Sequence, residues 1–336
     1  PRQKAEVFGG SLPDRGADSV HVDGADDHRA TLAEGAEAAV MTVPFLRYRR
    51  YHLSVGRMPE RDPIHEGSGE PIVLLHPFLC SQNVWRTVAD QLADTGHFEV
   101  FAPTMAGHHG GPRSGTWLLD INTLVDHVER QMDELGWQTA HVVGNSLGGW
   151  AAFELERRGR ARSLTAIAPA GGWTRYSPTK FETVGKFLLG GPALLLTRLL
   201  GPRILDLPFA RRVATLPISG PADGPSQPDL LALMDDATHC PAYFQLLVRT
   251  LLLPGLAELA NASAPTQLVL CEKDRVFPSP RGNRYFTTNL PPGSEVIRLD
   301  GVGHIPMLEA PGRVTELIAE FVDQNTEPRR LASPAG

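Results

Sequence analysis

Residues 140–156 read AHVVGNSLGGWAAFELE, in which an apolar run, a glycine-rich turn and an amphipathic segment follow one another directly. The apolar run is typical of a strand buried in a parallel sheet, and the segment after the turn is typical of a helix. Gly144, Ser146 and Gly148 form a G-x-S-x-G motif at the junction. Small residues are needed two positions on either side of the serine because larger side chains would collide with neighbouring backbone. We therefore expect Ser146 to stand clear of the sheet on a sharp turn.

The same alternation extends to both sides of this motif. From Pro71 onward, short apolar runs alternate with amphipathic segments, which indicates an α/β fold with a mostly parallel central sheet of about eight strands flanked by helices. Tyr48–Val55 and Ile64–His65 are expected to add an antiparallel edge. The expected buried strands are Pro71–His76, Phe98–Ala102, Ala140–Gly144, Leu164–Ala168, Thr266–Cys271 and Glu295–Leu299.

Two kinds of region break the alternation. Residues 1–45 are rich in Ala, Asp and Gly and are predicted to be a flexible N-terminal tail, and residues 326–336 a C-terminal tail. Residues 174–258 have no strand pattern but contain leucine-rich segments, which predicts a helical cap inserted into a core formed by residues 46–173 and 259–325. The expected cap helices are Lys180–Leu189, Ala193–Leu200, Asp229–Thr238 and Ala242–Leu253.

Composition limits the partners and the cellular compartment. A formal net charge of −6 gives no electrostatic reason to expect nucleic acid or an anionic membrane as partner. Cys80, Cys240 and Cys271 are an odd number and far apart, so a disulfide framework is not indicated. The N-terminal residues lack the apolar core of a signal peptide, and Phe187–Leu200 is interrupted by Gly190, Gly191 and Pro192. We expect a cytoplasmic protein without a membrane span, in which Phe187–Leu200 is a buried or interfacial helix.

Two later segments supply the groups that a nucleophilic serine needs. Asp274 follows the apolar run TQLVLCEK, and His304 lies in DGVGHIPMLEAP. A serine hydroxyl attacks only when a base removes its proton, and histidine does this near neutral pH. A carboxylate on the far ring nitrogen fixes the histidine tautomer. Turn aspartates are frequent, but Asp300 is a poorer candidate because it lies only four residues before His304.

With these three pieces in this order, the sequence resembles the α/β-hydrolase superfamily over about Tyr48–Val322, apart from the insertion. The resemblance implies Ser146 as nucleophile, Asp274 as acid and His304 as general base. The amide of Leu147, at the start of the helix, is expected to be one oxyanion donor. The segment LLHPFLCSQNVW resembles the family's His-Gly loop and implies the Phe78 amide as the second donor, although Pro77 replaces the usual glycine.

His76 and the adjacent pair His108 and His109 have other interpretations. We expect His76 to brace the loop through hydrogen bonds. Adjacent histidines point apart, and no acidic or thiol ligands lie near His108 and His109 at ligand spacing, so no metal site is expected. No cofactor is expected either.

The predicted function is hydrolysis of an ester or lactone of a small hydrophobic substrate through an acyl-enzyme. The resemblance leaves open a C–C bond hydrolase of the type that acts on meta-cleavage products, and a non-catalytic receptor on the same fold. Because the nucleophile is not an aspartate, the pattern argues against haloalkane dehalogenase and epoxide hydrolase chemistry. The oligomeric state is not predicted.

Overall fold

The computed structural model describes residues 60–116, 119–201, 226–256, 259 and 261–326. In this part of the chain one sheet has seven strands: β1 (Ile64–Gly67), β2 (Glu70–Leu75), β3 (Phe98–Ala102), β4 (Ala140–Asn145), β5 (Ala161–Ile167), β6 (Thr266–Cys271) and β7 (Glu295–Leu299). Their order across the sheet is β1-β3-β2-β4-β5-β6-β7. β1 pairs antiparallel with β3, and every other pairing is parallel.

Nine α-helices lie between and after the strands in the described residues. Their bounds are α1 (Arg86–Asp94), α2 (Ile121–Glu134), α3 (Leu147–Arg157), α4 (Pro178–Leu200), α5 (Gln227–Thr238), α6 (Tyr243–Leu252), α7 (Arg284–Asn289), α8 (Pro306–Glu309) and α9 (Pro311–Gln324). A 3₁₀ turn, Gln82–Trp85, precedes α1.

The predicted α/β fold is confirmed, and each of the six predicted strands begins and ends within three residues of an observed one. The predicted burial of Glu295–Leu299 was wrong, because β7 lies at the edge of the sheet and only Leu299 is buried. Ile64–His65 belongs to the antiparallel edge strand β1. The other expected edge segment, Tyr48–Val55, lies outside the described residues, as do residues 1–45 and nearly all of the predicted C-terminal tail. Of the expected eight strands, seven are therefore present in the described part of the chain.

The sheet is covered on both faces, which explains why its central strands are apolar without alternation. All six residues of β4 are buried. One face packs against α2 and α3 through Leu124, Val128, Ala151 and Leu155 among others. The other face packs against α1 and α9, where the buried side chains include Val88, Leu92, Val314 and Ile318. This two-sided core holds the C-terminal ends of the parallel strands in fixed positions, and ligands of open α/β sheets bind at those ends.

The chain between β5 and β6 contains α4, α5 and α6 and no strand in its described residues. The sequence predicted two helices separated at Gly190-Gly191-Pro192, and this was wrong because α4 runs through them. Proline has a helical φ; inside a helix it removes the hydrogen bond to the carbonyl four residues earlier and crowds that carbonyl, which weakens a long helix but does not have to end it. Among the described residues, α4 is the one helix long and apolar enough to cross a membrane by length and composition.

The burial of α4 also differs from expectation. The density of apolar residues predicts that more than half of the large side chains in Phe187–Leu200 and Tyr243–Leu253 pack inside the protein. Phe187 and Leu194 are partly buried, but the other six of the eight large apolar residues between Phe187 and Leu200 are exposed: Leu188, Leu189, Leu195, Leu196, Leu199 and Leu200.

Candidate active site

Ser146 lies on a strained turn between the end of β4 and the start of α3. Its φ of 55° and ψ of −112° are unusual for a residue with a side chain. Backbone hydrogen bonds hold the turn: the Ser146 N–H donates to the Ile167 carbonyl at 3.0 Å, and the Ser146 carbonyl accepts from the Ala170 N–H at 2.8 Å. Such strain persists only where the surroundings impose it, which is typical of functional positions.

The two glycines of the motif are required by close backbone approach. A Cβ on Gly144 would lie 2.1 Å from the carbonyl oxygen of Gly148, and a Cβ on Gly148 would lie 2.1 Å from the carbonyl oxygen of Leu75. Neither neighbour is a flexible side chain that could move aside. These contacts give the physical reason for the G-x-S-x-G spacing.

The fold brings Asp274 and His304 together from loops that follow β6 and β7. His304 Nδ1 lies 2.9 Å from Asp274 Oδ2, and both side chains are buried. The other oxygen, Asp274 Oδ1, accepts hydrogen bonds from the backbone N–H groups of Val276 at 2.7 Å and Phe277 at 2.8 Å. With a carboxylate at Nδ1, the histidine carries a proton there and leaves Nε2 able to accept one.

Asp274 is suited to remain ionised in this buried position. Burial by itself would raise its pKa, but the charge and hydrogen bond of His304, together with the two backbone donors, hold the pKa below its ordinary value. Asp300, in contrast, has an exposed position on the surface. The geometry therefore pairs the histidine with Asp274.

Asn145 connects the serine turn to the histidine loop. Its side-chain amide donates to the carbonyl oxygens of Ile167 and His304, each at 3.0 Å. Sequence reasoning missed this role, because the residue lies inside the quoted motif but its partner is 159 positions away. The ring of Phe277 also packs edge-on against the His304 ring at 5.3 Å.

The loop after β2 has the geometry of a tight turn that leaves one amide available. The Cys80 N–H donates to the Pro77 carbonyl at 3.2 Å, and Leu79 has a φ of 67°. The turn bond does not use the Phe78 N–H. His76 braces this loop as expected, since its Nε2 accepts from the Met105 N–H at 2.9 Å and its Nδ1 lies 2.8 Å from the Pro77 carbonyl. Burial lowers the pKa of His76 well below its ordinary value, which keeps the ring neutral.

A cavity of about 450 Å³, counting its open mouth, lies over Ser146. Phe78 and Leu147 line it from the core, while Thr183, Val184 and Phe187 of α4 and Leu246, Leu247 and Thr250 of α6 line it from the insertion. Its remaining walls include Trp150, Trp173 and Phe277, and no described residue of the lining is an aspartate or glutamate. The lining is mostly apolar, which is typical of sites that bind small molecules.

A wider cavity adjoins the first. It shares Leu147, Trp150, Leu246 and Thr250 with it, and its wall includes the ion pair of Arg249 and Asp120 at 2.7 Å. The apolar space over Ser146 is therefore next to a more polar one.

One cluster differs from expectation in its composition. The sequence placed no acidic ligand near His109, but the fold brings Asp235 of α5 and His239, the residue after that helix, close enough that one ligand atom of each lies within 4.8 Å of the others. A guanidinium nitrogen of Arg61 lies 3.7 Å from Asp235 and 3.5 Å from His109 Nε2, so this cluster already faces a positive charge.

Comparison with known proteins agrees with the fold. Residues 72–317 match the profile of the Alpha/beta hydrolase family. The epoxide hydrolase EphH of Mycobacterium tuberculosis is 63% identical over 201 residues, which cover 60% of this chain and 94% of the relative. The 2-hydroxymuconate semialdehyde hydrolase of a Pseudomonas species is 32% identical over 33% of this chain and 41% of its own length. A thermophilic esterase from Thermogutta terrifontis superposes with a TM-score of 0.62 at 19% identity, over 79% of this chain and 94% of the esterase.

Proposed function

The chain belongs to the alpha/beta hydrolase family, and on that premise we propose that it is a serine hydrolase that cleaves an ester or lactone of a hydrophobic substrate through an acyl-enzyme at Ser146. The observation that carries the proposal is the residue at the turn between β4 and α3. It is a serine on strained backbone, facing a cavity, in a protein whose Asp274 and His304 are hydrogen-bonded to each other.

The proposed reaction follows from the chemistry of these groups. His304 Nε2 takes the Ser146 proton as the serine oxygen attacks the substrate carbonyl. The Leu147 amide opens α3, where backbone N–H groups have no partner within the helix, and with the Phe78 amide it stabilises the oxyanion. His304 then protonates the leaving alcohol. A water, activated by the same histidine, hydrolyses the acyl-enzyme and returns Ser146.

The test is turnover of p-nitrophenyl butyrate by the wild type, by Ser146→Ala and by Ser294→Ala as a matched control outside the cavity lining. We expect Ser146→Ala to lose roughly three orders of magnitude or more in kcat, and Ser294→Ala to lose none. A fluorophosphonate probe should label the wild type and the control at Ser146. Labelling of another serine, or near-normal turnover by Ser146→Ala, would show that the nucleophile is misassigned.

The 63% identity to a protein named an epoxide hydrolase favours a second candidate, opening of an epoxide. A carboxylate that attacks an epoxide forms an ester, which water can hydrolyse. Attack by Ser146 would instead leave an ether on the serine, which has no carbonyl for an oxyanion site to activate. Epoxide hydrolysis by this chain would therefore need a water molecule, deprotonated by His304, as the attacking group.

The two candidates make opposite predictions for one variant. If the chain acts on epoxides through water, Ser146→Ala should still convert styrene oxide to the diol while His304→Ala should not. If the chain is a serine hydrolase, both variants should lose ester turnover. Retained diol formation by Ser146→Ala without ester turnover by the wild type would replace the first candidate with the second.

A further inference from the structure

Helices α4 and α6 expose an apolar face that no described part of the protein covers. On α4, Leu188, Leu195, Leu196 and Leu199 recur at helical spacing on one stripe, and Leu189 is 84% and Leu199 71% exposed. On α6, Phe244, Val248, Leu251 and Leu252 are also exposed. We call these residues, with Leu200, the insertion face. A water-exposed apolar surface of this extent is typical of an interaction site.

The chemistry of the insertion face favours hydrocarbon over a specific protein partner. From Gly190 to Leu200, α4 has one hydroxyl, that of Thr197, and it donates to the Ala193 carbonyl at 2.8 Å within the helix. Protein interfaces carry about one hydrogen bond per 100–200 Å². The leucine stripe offers almost no group for such bonds, whereas lipid chains require none.

The charge near this face differs from that of the chain as a whole. α4 and α6 together carry four basic side chains, but Lys180 is buried, Lys186 pairs with Glu182, and Arg249 pairs with Asp120, so the exposed positive charge at this face is that of Arg198. Arg198 is exposed in the last turn of α4, among the leucines. An apolar face bordered by positive charge is complementary to a bilayer with anionic headgroups.

Hydrogen bonds from α4 to other parts of the protein hold this helix in place, so that it can lie along a membrane surface but not cross the bilayer. Lys180 Nζ donates to the carbonyls of Leu251 and Leu253 at 3.1 and 3.3 Å. Lys186 Nζ donates to the carbonyls of Arg275 and Val276 at 3.0 and 3.1 Å, in the loop that begins at Asp274. The same helix lines the cavity over Ser146 through Thr183, Val184 and Phe187.

We propose that the insertion face is a docking surface for a lipid bilayer that carries anionic headgroups. Docking there brings the helices that line the Ser146 cavity to the membrane, because α4 and α6 carry both the insertion face and part of the cavity wall. The protein is then expected to reach substrates that are dissolved in the bilayer.

Vesicle sedimentation tests the proposal independently of any turnover, so that its failure differs from failure of the hydrolase assignment. The full chain with Ser146→Ala is mixed with phosphatidylcholine vesicles and with vesicles that contain about one third phosphatidylglycerol. The double variant Leu189→Glu/Leu199→Glu should bind at least about tenfold more weakly to both. Arg198→Gln should weaken binding about fivefold on the anionic vesicles alone.

Val296→Glu is the matched control, because Val296 is an aliphatic residue of β7 that is 53% exposed and lies outside the insertion face. It should bind as the parent does. Circular dichroism and the thermal transition of each variant show that it is folded. Absence of binding by the parent, or equal binding by the double variant, overturns the proposal. A dimer in lipid-free solution that becomes a monomer in the double variant, without vesicle binding by either, shows instead that a second copy covers this face.

Discussion

Asp274 offers a sharp test because its two oxygens have separate partners. In Asp274→Asn, the amide oxygen can still accept from the backbone N–H groups of Val276 and Phe277, so the loop should remain in place. The amide nitrogen, however, would face His304 Nδ1 with a donor. The imidazole would then carry its proton on Nε2 and could not accept the proton of Ser146. We expect kcat for ester hydrolysis to fall by roughly three to four orders of magnitude with little change in the thermal midpoint.

Asp300→Asn is the control for this change, since Asp300 is exposed and lies four residues before His304. Its kcat should remain within about twofold of the wild type. Loss of activity in Asp300→Asn with retention in Asp274→Asn would mean that the histidine is oriented by a different acid.

Glu309 provides a prediction about stability and pH. Burial raises its pKa to about 7, although its carboxylate accepts from the Gly303 N–H. Because this folded pKa lies above the unfolded one, the folded protein binds the proton more tightly. The contribution of Glu309 to stability is therefore full below about pH 4.5 and is lost as the pH rises through about 7.

Glu309→Gln removes this pH dependence while keeping an oxygen that can accept from the Gly303 N–H. The difference in thermal midpoint between Glu309→Gln and the wild type should move in favour of the variant as the pH rises from 5 towards 8, and level off above the pKa of about 7. Scanning calorimetry across this range measures it. A difference that does not change with pH would show that the carboxyl has the same pKa in both states.

The contact between α3 and β2 depends on the missing side chain at Gly148. An alanine there would press its Cβ against the carbonyl of Leu75 at 2.1 Å, so either the helix or the strand must move. Both carry parts of the site: α3 presents the Leu147 amide, and β2 leads into the turn that contains Phe78. We expect Gly148→Ala to lower the free energy of unfolding by about 2 kcal/mol or more and to reduce kcat.

Gly185→Ala is the matched control for that variant, because an added Cβ at this position in α4 meets nothing within 4 Å. The free energy of unfolding should stay the same or rise by about 0.5–1 kcal/mol, since alanine has the higher helix propensity. Chemical denaturation of the two variants gives the comparison. Equal stabilities would show that backbone approach at Gly148 is not a constraint on the fold.

Secondary structure was predictable where burial dominates and less so elsewhere. β3 and β6 have the bounds expected from their apolar runs, because strands buried on both faces must be apolar throughout. The helix-breaking residues in α4 were misleading, because two glycines and Pro192 suggested a break that the helix does not have. A sequence pattern also does not distinguish an apolar helix inside the protein from one that faces outward, so the exposure of Leu189 and Leu199 was not predicted.

The candidate site, which draws on residues from the whole chain, could likewise be predicted only in part. The order of Ser146, Asp274 and His304 could be read from motifs, and the fold places the last two in contact. Contacts between residues far apart in sequence could not be read in this way. The bond from Asn145 to the His304 carbonyl and the proximity of His109 to Asp235 depend on how distant segments fold together, which no local pattern reports.

The cavity joins the core to the insertion, so its shape should decide substrate preference. Its walls are apolar, and the hydroxyl of Thr183 is already bonded to the Thr179 carbonyl. A charged acyl group would lose hydration without gaining a partner, whereas each added methylene should favour binding by about 0.8 kcal/mol, or about fourfold in kcat/KM, until the space is full. We therefore expect kcat/KM for p-nitrophenyl esters to rise from acetate to medium chains and to be low for a half-ester with a free carboxylate.

Val184→Trp, inside the cavity, should shift the optimum to shorter chains, while Val248→Trp, on the outer side of α6, should not. A preference for acetate or for the charged half-ester, or an equal shift in both variants, would mean that the acyl group binds elsewhere.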